Sequence, residues 1–166
     1  GVTLEVVVFD EDGFQSHKPF PPQQARPCIF EYIYFSRPDS IVGGRNVYDV
    51  RKAMGAELAR EAPATADVIV PVPDSGVPAG LGYAQQSGIP YELGIIRNHY
   101  IGRTFIQPTQ AIRDQGVRMK HSANRAVVKG KRIVLVDDSI VRGTTSRKIV
   151  QMMRDAGATE VHFRIS

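Results

Sequence analysis

Arg132-Ile133-Val134-Leu135-Val136-Asp137-Asp138-Ser139-Ile140-Val141-Arg142-Gly143-Thr144-Thr145-Ser146 is the stretch on which the fold turns. Ile133 to Val136 are four aliphatic residues in a row, the pattern of a strand buried on both faces. Two aspartates follow where that strand should end. Then come Gly143 and the hydroxyls of Ser139, Thr144 and Thr145. Ile149, Val150, Met152 and Met153 give the next segment an apolar stripe at helical spacing. The acids therefore stand at the carboxyl end of a strand and the amino end of a helix. Open α/β sheets bind ligands at that edge.

The residue types narrow the ligand. Backbone N–H groups of Ser139, Ile140, Val141, Arg142, Gly143, Thr144 and Thr145, with the three hydroxyls, can surround a phosphate at the positive end of a helix. Gly143 permits positive φ or close backbone approach. Asp137 and Asp138 would repel that phosphate, so they make sense if the ligand also carries hydroxyls or a metal. A ribose 5-phosphate meets both needs, with phosphate on the loop and 2- and 3-hydroxyls on the acids. Taken singly, Asp138 or Ser139 would be an ordinary helix N-cap. The stretch has no Gly-Lys-Ser/Thr of a Walker loop and no GxGxxG of a dinucleotide fold.

Val136 to Thr145 resembles the phosphoribosylpyrophosphate (PRPP) motif of the type I phosphoribosyltransferases. Its Ser-Ile-Val-Arg-Gly-Thr-Thr spelling is that of the glutamine PRPP amidotransferase (amidophosphoribosyltransferase) family. Cys28-Ile29-Phe30-Glu31-Tyr32-Ile33-Tyr34-Phe35-Ser36-Arg37-Pro38-Asp39-Ser40 and Asn98-His99-Tyr100-Ile101-Gly102-Arg103-Thr104-Phe105-Ile106-Gln107-Pro108 are similar to the same family, in the same order. The resemblance implies an α/β type I phosphoribosyltransferase fold, a largely parallel sheet of about five strands flanked by helices. It implies transfer of ammonia, taken from glutamine in the full-length enzyme, to PRPP. The products would be 5-phosphoribosylamine and pyrophosphate, in the first committed step of purine synthesis. A nucleobase salvage transferase and a PRPP-sensing DNA-binding regulator are the alternatives on the same fold, but the motif spelling opposes the first and no helix-turn-helix pattern supports the second.

Composition agrees with one α/β domain. The chain has 166 residues, 42% hydrophobic and 23% charged, and a net charge of +4. The sequence pI of about 9.4 would admit nucleic acid, but the charge is concentrated. Residues 97 to 132 hold nine of the 21 Lys and Arg with a single acid, Asp114. A local basic segment suits a polyphosphate substrate at least as well as DNA. No apolar run approaches a membrane span, and no secretory signal opens the chain. One cysteine excludes an internal disulfide framework and suits the cytoplasm.

Along the chain, residues 2–20 read as a hairpin around Asp10-Glu11-Asp12-Gly13, followed by a proline-marked linker at Pro19, Pro21, Pro22 and Pro27. In the family this position is the tail of an upstream glutaminase domain. Residues 1–26 are therefore expected to be its remnant, and 27–166 a phosphoribosyltransferase domain truncated at its C-terminal end. Cys28 to Phe35 reads as a strand. Residues 45–61 read as a helix with Val47, Val50, Met54 and Leu58 on one face. Val68-Ile69-Val70 reads as a buried strand, and a second helix runs to about Gln86. Ile89 to Ile96 is expected to be a strand. Residues 97–131 have weak periodicity, and a loop that long inside a domain is usually functional. The helix after the motif should run to Ala156 with Gly157 closing it, and Val161, Phe163 and Ile165 alternate as a last strand.

Asp74, Ser75, Gly76 and Val77 form a second strand-to-helix loop that matches the family's pyrophosphate loop; capping, with Pro78 in the first turn, is the plain alternative. The resemblance places Mg2+ near Ser75, Asp137 and Asp138, an all-oxygen set that suits this ion. Arg97, Tyr100, Arg103 and Lys120 match the family's mobile loop, whose cations would neutralise the leaving pyrophosphate. Asp137, Asp138, Arg103 and Lys120 are the expected catalytic residues. His99 stands where the family frequently has Arg, and His17, His121 and His162 have no metal-ligand spacing. Cys28 matches a cysteine that ligates a [4Fe–4S] cluster in one branch of the family, and the resemblance implies that its companions lie beyond Ser166 in the full protein. A homo-oligomer is also expected from the family.

Overall fold

The computed structural model describes residues 4–24, 26, 28–98, 121–141 and 143–166. They divide into two compact units, Gly1–Glu31 and Tyr32–Ser166. In the first unit β1 (Val6–Asp10) and β2 (Gly13–His17) form an antiparallel hairpin that opens on Gly13, at φ 126°. Its residues alternate in register but none is buried, so the hairpin is a two-stranded ribbon with both faces exposed.

The second unit is built on the sheet that the quoted stretch predicts. β5 (Val68–Pro71), β8 (Arg132–Asp137) and β9 (Glu160–Ile165) run parallel, with β8 in the centre. Side chains alternate between faces along a strand. Val68, Val70, Ile133 and Leu135 join one apolar cluster with Ile149 and Met153. Ile69, Val134 and Val136 join the other with Ala59, Ala79 and Tyr83. Both faces are covered, which is why the strand shows no polar alternation.

α1 (Val47–Glu61) and α2 (Val77–Ser87) cover the second face. Asn46 caps α1, its side chain accepting from the Asp49 N–H at 3.2 Å. α2 closes on Gly88 in the left-handed region, whose N–H donates to the Ala84 carbonyl. The buried stripe of α1 differs from the expected one. It is Val47, Arg51, Gly55 and Ala59, not Val47, Val50, Met54 and Leu58. The reason is the closeness of α2: a methyl on Gly55 would fall on the Ala79 carbonyl, and one on Gly82 would fall on the Lys52 carbonyl. Small residues set that approach, and larger apolar ones flank it.

Two expected strands are corrected. Cys28 to Phe35 is not extended; Glu31–Phe35 is a π-helix. Its aromatic and β-branched composition favours strands in general, but here side-chain and backbone anchors hold it wound. The Tyr32 hydroxyl donates to the Val42 carbonyl at 2.7 Å, and Arg51 donates to the carbonyls of Tyr32 and Ser36. Ile89 to Ile96 contributes only one parallel bridge, Tyr91 to Ile69. Pro90 lacks an N–H, though its carbonyl accepts from Ile69 N at 2.8 Å. The extended part lies later: β6 (Ile95–Arg97) pairs antiparallel with β7 (His121–Ala123). A short helix, α3 (Arg125–Val128), then α4 (Thr144–Asp155), and the small ribbon of β3 (Ile41–Val42) and β4 (Arg45–Asn46) are the other elements among the described residues of the second unit.

Candidate functional site

The site lies at the carboxyl ends of β5 and β8. Val72 N–H donates to the Val136 carbonyl at 2.9 Å, which carries the strand pairing up to the loop after β5. That loop contains a cis peptide between Pro73 and Asp74. Gly76 then turns against β8. Its φ of −75° is ordinary, but a methyl there would fall on the Val136 carbonyl and lie 3.1 Å from Asp137 Cα. Gly76 is needed for close approach and not for its conformation.

This approach joins the two loops. The Ser75 hydroxyl donates to Asp137 Oδ1 at 3.4 Å, and the Asp138 N–H donates to the same oxygen at 2.9 Å. Asp74 forms an ion pair with Arg97. Val77 opens α2, with Pro78 in its first turn. β6 and β7 bring Arg97 opposite His121, whose Nε2 lies 3.4 Å from the Pro73 carbonyl. On the other side, Gly143 at φ 69° is the N-cap of α4, so neither Asp138 nor Ser139 caps it. A cavity of about 350 Å3 opens there, walled by Tyr34, Asp137, Ser139, Ile140, Val141, Gly143, Thr145 and Ser146. Thr144 is the first residue of α4 and stands beside that wall. A larger cavity of about 430 Å3 between β7 and α4 is mostly apolar and holds neither aspartate of the pair.

The two acids have different surroundings. Burial first, then the neighbouring Asp138 charge, push Asp137 up to about 6, against the Asp138 N–H and Ser75 hydroxyl that favour its charged form. Asp138 is 8% exposed. Its Oδ1 accepts from the Ser139 hydroxyl at 3.0 Å, while Oδ2 has no hydrogen-bond partner among the described residues. Arg51, 6% exposed on α1, is pulled below its ordinary value by burial, and the Asp138 charge opposes that.

Most of the residues read from the sequence thus converge: Asp137, Ser139, Ile140, Val141, Gly143 and Thr145 on one cavity, and Asp74, Ser75, Gly76 and Arg97 beside it. Tyr100, Arg103, Lys120 and Arg142 lie outside the described residues. Cys28 is an exposed free thiol of the first unit. Sequence reasoning missed Tyr34, Ser146 and Arg51. Tyr34 was hidden in a run read as a strand. Arg51 carried a signal, a charged residue four positions from both Val47 and Gly55 on one helix face.

Residues 39–166 match the model of the phosphoribosyl transferase domain. The chain belongs to that family. Among curated relatives, the amidophosphoribosyltransferase of Rhizobium etli is 70% identical over 154 residues, covering 93% of this chain and 31% of the relative. That of Bacillus subtilis is 58% identical over 162 residues, covering 98% of this chain and 34% of the relative. A solved structure described as the allosteric regulatory enzyme of purine biosynthesis superposes with a TM-score of 0.80 at 58% identity, over 97% of this chain and 35% of that one. The Bacillus subtilis glutamine PRPP amidotransferase, complexed with ADP and GMP, gives 0.79 at 58% identity over 96% and 35%. The type I fold is thereby shown. The chain spans 31% and 34% of the length of the two curated relatives.

Proposed function

We propose that the protein containing this chain is an amidophosphoribosyltransferase that transfers ammonia to PRPP at the site between the two loops. The observation that carries the proposal is the Ser75–Asp137 hydrogen bond, which couples two phosphate-suited loops at adjacent strand ends. A ligand with phosphate groups at both ends and hydroxyls between them suits that arrangement. The 5-phosphate takes backbone N–H groups from Ser139 to Thr145 at the start of α4. The pyrophosphate takes the loop Asp74 to Val77 at the start of α2, through groups other than the Gly76 and Val77 N–H, which donate to the Val72 and Asp74 carbonyls. Asp137 and Asp138 accept from the ribose hydroxyls and offset positive charge as it develops at C1. The C1–oxygen bond to pyrophosphate breaks as the nitrogen lone pair forms the C1–N bond, and the surplus proton on nitrogen passes to water.

Ser75, Asp137 and Asp138 would hold Mg2+ together with substrate oxygens and water. The donors are all oxygens, the set that suits Mg2+, an ion that keeps waters and substrate oxygens as ligands. When bound, the ion supplies charge neutralisation to the pyrophosphate. Arg97 would exchange its Asp74 partner for pyrophosphate oxygens, and Tyr100, Arg103 and Lys120 would add contacts to the same group, as the resemblance implies. An upstream glutaminase domain would supply the ammonia, in a cytoplasmic homo-oligomer. Cys28 would be one thiolate of an iron–sulfur cluster, and as the chain's single cysteine it leaves the other ligands to the rest of the protein.

Pyrophosphate release from PRPP tests the reading, with Mg2+ and either ammonium or a panel of nucleobases. Ammonium should support turnover, and Asp137→Asn or Asp138→Asn should lower kcat while leaving the fold intact. Turnover with a nucleobase and none with ammonium would replace the reading by a salvage activity.

A further inference from the structure

We infer that His121 is a positioning residue for the pyrophosphate half of the site: it holds the Pro73 carbonyl and so aims the loop Asp74 to Val77. The inference rests on the reading of that loop as the pyrophosphate loop and adds a residue that acts through it. β6 and β7 set Arg97 opposite His121, and side chains paired across an antiparallel ribbon lie side by side. Both reach the same short segment. Arg97 forms its ion pair with the Asp74 carboxylate, and His121 Nε2 lies 3.4 Å from the Pro73 carbonyl. A carbonyl oxygen can only accept, so this nitrogen carries the proton and donates. The ribbon is a firm base for such a contact. At its other end Ile95, 2% exposed, sits in the apolar core, and Ala123 packs against the same cluster. Just beyond, the Asn124 N–H donates to the Gly94 carbonyl at 2.8 Å.

The Pro73 carbonyl matters because of what shares its peptide. A carbonyl and the N–H that follows it lie in one rigid plane, so a hydrogen bond to the first fixes the direction of the second. Here the second is the Asp74 N–H. Gly76 and Val77 give their N–H groups to the Val72 and Asp74 carbonyls, so the donors earlier in the loop are the ones that a pyrophosphate would use. β8 holds the loop from one side, through the Val72 N–H on the Val136 carbonyl and the Ser75 hydroxyl on Asp137. The ribbon holds it from the other. When Arg97 leaves Asp74 for pyrophosphate oxygens, the hydrogen bond from His121 keeps ribbon and loop together.

The test compares two probes on the intact protein by calorimetry: inorganic pyrophosphate with Mg2+, and ribose 5-phosphate. His121→Leu keeps an apolar side chain of similar bulk in place but has no donor. It should weaken pyrophosphate binding by about 2- to 10-fold, the loss expected for one hydrogen bond, and leave ribose 5-phosphate affinity unchanged. His121→Gln, whose amide can donate along the same line, should recover most of the loss. His121→Asn, too short to reach the Pro73 carbonyl, makes the same comparison if His121→Leu does not fold. Equal losses on both probes would overturn the inference, since a merely structural defect has no reason to choose between the halves of the site. Unchanged pyrophosphate affinity in His121→Leu, or no recovery in His121→Gln, would overturn it too. A wild-type protein that binds neither probe and releases no pyrophosphate from PRPP would overturn the reading of the site itself.

Discussion

Gly76→Ala tests whether the close approach of the two loops makes the site. The backbone at Gly76 has φ −75° and ψ −5°, which alanine adopts freely, so no conformational strain enters. The cost is steric. The new methyl would meet the Val136 carbonyl, with the Val72 carbonyl at 2.9 Å and Asp137 Cα at 3.1 Å. All three are backbone atoms in or beside a hydrogen-bonded strand, so none can swing aside. Overpacking of this kind costs about 1–3 kcal/mol. A middle value of about 2 kcal/mol lowers Tm by about 4–8 °C in a domain of this size. The functional effect should be larger. Relief requires the loop to move away from β8, which lengthens the Ser75–Asp137 hydrogen bond beyond its 3.4 Å. A displacement of about 1 Å between reacting groups can cost about 100-fold in rate. Ser75→Ala is the control: it removes the hydrogen bond, worth about 0.5–1.5 kcal/mol, without pushing the loops apart. Thermal melts and pyrophosphate release, measured on both variants, check the argument. An alanine variant at Gly76 with unchanged Tm and rate would refute it.

Gly55→Ala should destabilise the domain by about 1–3 kcal/mol despite the roughly 1 kcal/mol that alanine gains in helix propensity, because its methyl meets the Ala79 carbonyl; a denaturant melt reads the sign. The carboxyl of Asp137, held at about 6 against an ordinary 3.8, binds its proton more tightly when folded. Its contribution to stability is therefore full below 3.8 and lost as pH rises through about 6, and Asp137→Asn should flatten that part of the stability profile. Asp67 has the opposite sign. The Arg132 side chain and N–H hold it at about 2, so its contribution is present above 3.8 and lost as pH falls through about 2; Asp67→Asn should remove that acid-side loss in melts across this range. The isolated chain, given PRPP and Mg2+, should use ammonium and not glutamine, since Cys28 is its single thiol and lies mid-chain; turnover with glutamine alone would refute this.

Local chemistry made much of this protein readable from its residues. The run Ile133 to Val136 is apolar without alternation because both faces of β8 are covered, and that fact alone places the strand in a buried parallel sheet. The acids, the glycine and the hydroxyls that follow are contiguous, so a loop suited to phosphate is legible without any distant partner. Asn46, Gly88 and Gly157 act within a few residues of themselves, and the helix ends they mark fall close to where the sequence predicts.

Tertiary contact decided the rest. Tyr32 to Phe35 has strand-forming composition, yet it winds because Arg51, 19 residues from Tyr32, donates to the carbonyls of Tyr32 and of Ser36 just beyond it. The buried stripe of α1 follows glycines that face α2, a choice that no single-helix pattern contains. Ser75 meets Asp137 across 62 residues of chain, and only the pairing of β5 with β8 brings them within reach. The surroundings of Asp137 have the same origin: burial and the neighbouring Asp138 charge raise its carboxyl, and neither is visible in two adjacent aspartates read as sequence. Composition and spacing specify which groups are available. Their distances, burial and partners are properties of the packed chain, because electrostatic and steric terms depend on separation in space and not along the backbone.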